Sequence, residues 1–256
     1  MAAPHLLLRV ESNGTNGTGG WRRPSLRMNS SDSYGTAGFP NRKSDLDRDR
    51  LRREMRQEMR QRRRALPAAS RAAAAASLAR VISRHRILRH AARIAVYFAY
   101  GGEIDLAPTI ALARQRGSRL CLPVISSIAK GSMHFVPFET DTSLRGNRFG
   151  IHEPQLHRAR VIPAHRLDVV LLPLVAVDSR GWRLGSGAGF YDRHLSHLRT
   201  DRRWRRPRLI GVAYEFQRVP IIEPQPWDVP LDAVVTERGY YPLRRPPIRN
   251  SDRETP

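Results

Sequence analysis

The sequence predicts an α/β fold: one domain with a mostly parallel sheet flanked by helices, Rossmann-like, behind a disordered N-terminal extension. Three observations carry this. Strand-length apolar runs alternate with helical patterns between about residues 47 and 236. The run DVVLLPLVAV at 168–177 is almost continuously apolar, as a strand buried on both faces is. A chain of 256 residues is long enough for one good core.

The elements follow in order. Residues 1–44, with NGTNGTGG at 13–20, are rich in Asn, Gly, Ser and Thr and carry no sustained periodicity, so they are read as disordered. The domain spans 45–239. Asp47 to Ala65 is a first helix, free of Gly and Pro, acidic early and arginine-rich late, with Leu51, Met55, Met59 and Arg62 along a narrow edge. Pro67 interrupts it, and Ala68 to His85 is an alanine-rich second helix with Leu78, Val81 and Ile82 facing the core. Arg93 to Tyr100 is a β-branched and aromatic strand. Asp105 to Gln115 is a helix ended by Gly117, and Leu120 to Ile125 and Met133 to Phe138 are strands. Asp168 to Val177 is the central strand. A glycine-rich loop follows, then a helix from Phe190 to Leu198, with short strands at Leu209 to Tyr214 and Ala233 to Thr236. Residues 240–256 form a Pro/Arg-rich tail, frayed from Pro242.

Composition excludes several classes. No apolar stretch approaches the roughly 20 residues that span a bilayer, and Met1 to Val10 lacks the basic flank of a secretory signal. The single cysteine, Cys121, allows no intramolecular disulfide and no thiolate-rich zinc site, and a cytoplasmic monomer is expected. Without a secretion signal, the sequons at Asn13, Asn16 and Asn29 carry no meaning. The net charge is +22, with only Lys43 and Lys130 as lysines. That charge is spread over the body as well as the termini, so it reads as composition or substrate steering rather than a nucleic-acid footprint. The nucleic-acid alternative would use the arginine helix and the run Arg202 to Arg208, and predicts steeply salt-dependent binding without ATP turnover.

The sharpest chemical signal is RLGSGAGFYDR, Arg183 to Arg193, after a buried strand and before a helix. Glycines at 185, 187 and 189 turn the chain tightly and bare its N–H groups, which suits phosphate; the bland alternative is a tight turn. The spacing fits neither the Walker loop nor GxGxxG, and Ser186 lacks the glycines of a nucleophile elbow. His194 and His197 stand three apart with no third ligand evident.

Taken with YFAYGGEIDLAP at 97–108, LCLPVI at 120–125, NRFGIHEP at 147–154, LIGVAYEFQ at 209–217 and WDVPLDAVVTE at 227–237, this segment resembles the 5-formyltetrahydrofolate cyclo-ligase family across about 50–238. The resemblance implies a single α/β domain that closes 5-formyltetrahydrofolate to 5,10-methenyltetrahydrofolate, splitting ATP with Mg²⁺. It also implies site roles. The nucleotide contacts fall on Arg52, Arg53, Glu54, Met55 and Arg56, with Arg52 where lysine is usual. They continue on Arg183, Leu184, Gly185, Ser186, Gly187, Ala188, Gly189, Phe190 and Tyr191, with Ser186 and Ala188 where some members are basic. Arg183 and Tyr191 take the catalytic places, and Phe98 and Glu103 the folate. Asp192 and Asp228 take the magnesium. Tyr100, Trp182, Phe190 and Tyr191 are candidates, with Phe98, for the flat wall of a pterin pocket. A family-shaped protein that binds folate or nucleotide without closing the ring remains the second alternative.

Overall fold

Helix α1, Arg42–Ala65, forms where strong helix formers run without Gly or Pro, and it ends on Arg62, Arg63 and Arg64, cations beside the last carbonyls. The computed structural model describes residues 42–127, 132–146, 152–154, 160–197 and 207–243, without the side chains of 42–45, 87 and 88. The extension before residue 42, most of the 202–208 arginine run and the tail beyond 243 lie outside the described residues. Pro67, at φ −58° and ψ 149°, breaks the chain direction and opens α2, Ala68–Arg84, which buries Ala74, Ala75, Leu78, Ala79 and Ile82. A single turn, α3 (Arg86–Arg89), leads to the sheet.

The main sheet has seven strands: β1 (Arg93–Ala95), β2 (Arg119–Ser127), β3 (Ser132–Pro137), β6 (Val169–Pro173), β9 (Arg208–Val212), β10 (Ala233–Val235) and β11 (Tyr240–Pro242). Their order is β11-β10-β9-β6-β1-β2-β3. The five central strands run parallel, while β3 and β11 are antiparallel edges. Alternation sorts the side chains. Ile94, Leu120, Leu122, Val169, Leu171, Ile210, Val212, Ala233 and Val235 share one cluster with α2 and with α4 (Ala107–Gln115). Each such leucine or isoleucine taken from water contributes about 1.5–3 kcal/mol. Two small ribbons complete the described elements, β4 (Leu144–Gly146) with β5 (His152–Pro154), and β7 (Ala176–Val177) with β8 (Arg183–Leu184). A short helix, α5 (Phe190–His194), packs against β3, with the His194 ring edge-on to Phe135 at 5.3 Å.

Four expectations are corrected. The apolar run 168–177 is two strands: β6 ends at Pro173, and β7 pairs antiparallel with β8 outside the main sheet. Continuous apolarity reports burial, not direction. The Leu174 carbonyl where the chain departs is taken by Arg63 and Gln217 side chains instead of a neighbouring strand. The strand expected at 93–100 holds its ladder only through Ala95, with Val96 N–H still donating to Cys121 before the chain peels away to the turn at Gly101–Gly102. The helix expected at 190–198 is five residues long, and Leu198 itself lies outside the described residues. Finally, the sheet continues past 239: Tyr240–Pro242 pairs with β10, and Pro242 is tolerated there because an edge strand leaves one side of its ladder unused.

The order reverses between β1 and β6: from β1 the chain proceeds outward to β2 and β3, then returns to place β6, β9 and β10 on the other side. Beyond the carboxyl ends of such neighbours a crevice opens. The segments leaving β1 and β6 carry Glu103 and Leu174.

Candidate active site

The crevice is lined on one side by α1, whose position follows from Met55 and Met59. Both pack on Val175, Ala176, Leu184, Val219 and Ile222, and Met59 is buried. Leu51, expected on the same edge, is 62% exposed. Seating that edge turns Arg52, Arg56, Arg60 and Arg63 into the protein, one per turn. Arg52 donates to the Glu223 carbonyl (2.6 Å) and pairs with Asp228 (3.2 Å). Arg56 Nε donates to the Gly185 carbonyl at 3.0 Å, and Arg60 to the Ser186 carbonyl at 2.7 Å. Burial, then the neighbouring Arg52 and Arg60, hold the Arg56 pKa below its ordinary value. Arg53 and Glu54 point to solvent, Glu54 pairing only with Arg50 at 2.8 Å. The arginine helix thus spends its inward guanidiniums on carbonyls and carboxylates of its own chain, while Arg50, Arg53, Arg62 and Arg64 remain exposed.

Arg56 and Arg60 define the glycine loop. A trans peptide points its C=O and N–H in opposite directions. Carbonyls 185 and 186, drawn towards α1, therefore turn the N–H groups of Ser186 and Gly187 away from it. Residues 186–188 are exposed, and Gly187 sits at φ +114°, a conformation L side chains rarely adopt. With α5 only five residues long, an anion cradle at this loop would rest on these N–H groups more than on a helix dipole. Leu184, by contrast, places its side chain fully in the core.

Arg183 is 4% exposed and committed at both ends, donating to the Val229 carbonyl and pairing with Asp192 at 2.6 Å. Asp192 also accepts Val229 N–H at 3.1 Å, and Asp228 accepts Gln225 N–H at 2.9 Å. The fold therefore brings the two aspartates, far apart in sequence, to one segment. Each has one carboxylate oxygen bonded and the other without a hydrogen bond among the described residues. Desolvation pushes the Asp228 carboxyl above its usual range, with Arg52 and the Gln225 N–H opposing. Two carboxylates, each with a spare oxygen, fit a Mg²⁺ ion that completes its shell with phosphates and water.

At the other end, Glu103 accepts Tyr100 N–H (3.2 Å) and lies 3.7 Å from Arg63. Burial raises its pKa, and Arg63 opposes that. The Tyr191 phenol is pushed up by desolvation and by the charge of Glu103. The five aromatics do not form one wall. Phe98 packs edge-on to Phe138 at 5.4 Å, Trp182 joins the cluster under α1, and the Arg193 guanidinium lies over Phe190. Only Tyr191 and the exposed Tyr100 adjoin Glu103. Sequence reasoning missed Arg60, Arg63 and Gln217. The i, i+4, i+8, i+11 spacing from Arg52 was the available signal for the arginines. Gln217, the last residue of LIGVAYEFQ, was marked by the resemblance but given no role; it is buried and donates to the Leu174 and Val175 carbonyls.

Comparison with known proteins places the chain in a family. The profile of the 5-formyltetrahydrofolate cyclo-ligase family matches residues 48–237. The chain is 40% identical over 149 residues to the 5-formyltetrahydrofolate cyclo-ligase of Escherichia coli K12, covering 57% of this chain and 78% of that one. It is 39% identical over 145 residues to that of Haemophilus influenzae, covering 56% and 74%. The NMR structure of Aquifex aeolicus 5,10-methenyltetrahydrofolate synthetase superposes with a TM-score of 0.64 at 26% identity, over 80% of this chain and 100% of that one. The Mycoplasma pneumoniae 5,10-methenyltetrahydrofolate synthetase shares the fold, with a TM-score of 0.58 at 22% identity over 73% and 98%. Family profile, curated relatives and fold agree, and the chain belongs to the 5-formyltetrahydrofolate cyclo-ligase family of enzymes.

Proposed function

We propose that the protein closes 5-formyltetrahydrofolate to 5,10-methenyltetrahydrofolate with ATP split to ADP and phosphate. The observation that carries this is the bracing of the glycine loop by Arg56 and Arg60, which faces its N–H groups away from the helix as a phosphate cradle must. The formyl group is a poor electrophile. Its oxygen attacks the γ-phosphorus and ADP leaves; the folate N10 nitrogen then attacks the activated carbon and phosphate departs. Positioning and charge neutralisation are the protein's main tasks in such chemistry. The loop N–H groups of 186 and 187 receive phosphate oxygens, and Arg52 adds positive charge nearby. Arg183 holds Asp192 and the 228–229 segment in place, and Glu103 accepts from the amino-pyrimidinone edge of the folate. Asp192 and Asp228 are the residues that would hold Mg²⁺, which would neutralise developing phosphate charge.

We place this activity in the cytoplasm, in a monomer; among the described residues no helix is long and apolar enough to cross a membrane. The test is whether purified protein builds the methenyl chromophore from 5-formyltetrahydrofolate with one ADP per turnover. Chromophore formation without ATP, or none with Mg-ATP present, would refute the reading.

A further inference from the structure

Arg63 has no role in the chemistry assigned above, yet its burial is unusual for an arginine: 4% of the residue is exposed. It lies under the strand-order reversal, donating from Nη1 to the Leu174 carbonyl (3.3 Å), just past the end of β6. Its guanidinium lies 3.7 Å from Glu103, and its Nε is buried with no hydrogen-bond partner among the described residues. The turn over it is built to fit. Gly101 and Gly102 sit at φ +59° and +81°, and a Cβ on Gly102 would come within 3.1 Å of the Arg63 carbonyl oxygen. This closeness lets the chain fold back so that Glu103 reaches the guanidinium while its second oxygen takes Tyr100 N–H. A buried cation held this way is expensive unless it serves something.

We propose that Arg63 is a positioning residue for the folate end of the site: anchored on the Leu174 carbonyl, its guanidinium fixes the Glu103 carboxylate in orientation. The inference rests on the reading that Glu103 receives the folate. Two features support it. The groups facing Glu103 are Arg63 and Arg60 from α1, Tyr97 after β1 and Tyr191 from α5; of these, Arg63 is the strongest influence opposing the burial that raises the Glu103 pKa. Facing Arg63 in turn are Glu103, Tyr97, Arg60 and Tyr214, so among the described residues Glu103 is the carboxylate beside it. The guanidinium and carboxylate therefore act as a unit, and removing the cation leaves the acid without the partner that keeps it ionised.

The experiment is a double-mutant cycle of Arg63→Met with Glu103→Gln, read as KM for 5-formyltetrahydrofolate, KM for ATP and the acid limb of the pH profile. Arg63→Met is expected to raise the folate KM about tenfold, leave the ATP KM within about twofold and move the acid limb to higher pH. Arg63→Lys should restore part of the loss. In the Glu103→Gln background, Arg63→Met should add almost nothing, because the unit is already broken. Additive effects in the two backgrounds would overturn the proposal. If Arg63→Met does not fold, the same cycle with Arg63→Lys decides on the same criterion. A Glu103→Gln protein with wild-type folate KM would instead sink the prior assignment of Glu103 to the folate.

Discussion

The two ends of α1 solve one problem differently. Eleven residues apart, Arg52 and Arg63 are separated by about 16 Å along the helix, and each faces a carboxylate whose pKa burial raises, Asp228 and Glu103. At the Arg52 end the partners are loop groups, the Glu223 carbonyl and the segment 225–229, and positive charge is in surplus, with Arg56, Arg60 and Arg183 close by. At the Arg63 end the partner sits on a tight glycine turn, a single carboxylate faces the buried guanidinium with Arg60 farther off, and tyrosines fill the surroundings. A surplus of cations beside a loop with exposed N–H groups suits a polyanion; a buried ion pair suits the oriented hydrogen bonds of a neutral ring. On the proposed function, one helix serves two chemically distinct binding regions.

The strongest way to break this comparison is at the aspartates. Asp192→Asn should lower turnover about 100-fold and raise the Mg²⁺ requirement, while costing roughly 2–3 kcal/mol of stability because Arg183, 3% exposed in its side chain, loses its counter-charge. Magnesium titration and denaturant unfolding on one preparation check both halves. A protein destabilised but with normal turnover per folded molecule would make Asp192 purely structural. Next comes the glycine loop. Gly187→Ala confounds strain with ligand contact, since φ is +114°; Gly185 has no positive φ, and a Cβ there meets nothing within 4 Å. Gly185→Ala should therefore weaken ATP binding about tenfold with the melting temperature unchanged. Unaltered ATP affinity would move the phosphates elsewhere.

A third expectation concerns pH. The folded Glu103 pKa lies above its unfolded value, so its ionisation costs stability. As pH rises from the ordinary glutamate value of about 4.3 through the folded pKa, stability should fall while folate affinity rises. Glu103→Gln should abolish both slopes, which parallel melting and binding curves would show. The smallest effects belong to the outward face of α1. Arg53→Ala and Glu54→Gln should change activity less than about twofold and stability within about 0.5 kcal/mol. A larger loss of ATP affinity at either would return the whole 52–56 segment to the nucleotide.

These contrasts also explain what the sequence could convey. Most strand positions and the middle of the α1 seam were legible because burial writes a period into composition: Met55 and Met59 mark the seam, while Leu51 and Arg62, read onto the same edge, are exposed. The break at Pro173–Leu174 was not, because both strands are buried and apolarity looks the same on either side of a change of direction. Phe98 and Trp182 share a residue type suited to a ring pocket, but the fold sends one to the α2–α4 cluster and the other beneath α1. Residue type could not say which. Arg63 was hidden for the opposite reason: it stands between Arg62 and Arg64, which the fold leaves exposed, and only its spacing from Arg52, Arg56 and Arg60 hints that it turns inward.

The anchoring of α1 has a thermodynamic consequence. The helix is attached to the β7–β8 ribbon and its flanking loops by two methionines and by guanidiniums that reach carbonyls at Leu174, Gly185, Ser186 and Glu223, so its detachment would dismantle both proposed binding regions together. If ATP and folate bind at its two ends as proposed, each substrate stabilises the attached state on behalf of the other. Linkage then makes the factor by which ATP changes folate affinity equal to the factor by which folate changes ATP affinity, and either ligand should slow the amide hydrogen exchange of α1. The helix would be the medium through which the two substrates sense one another.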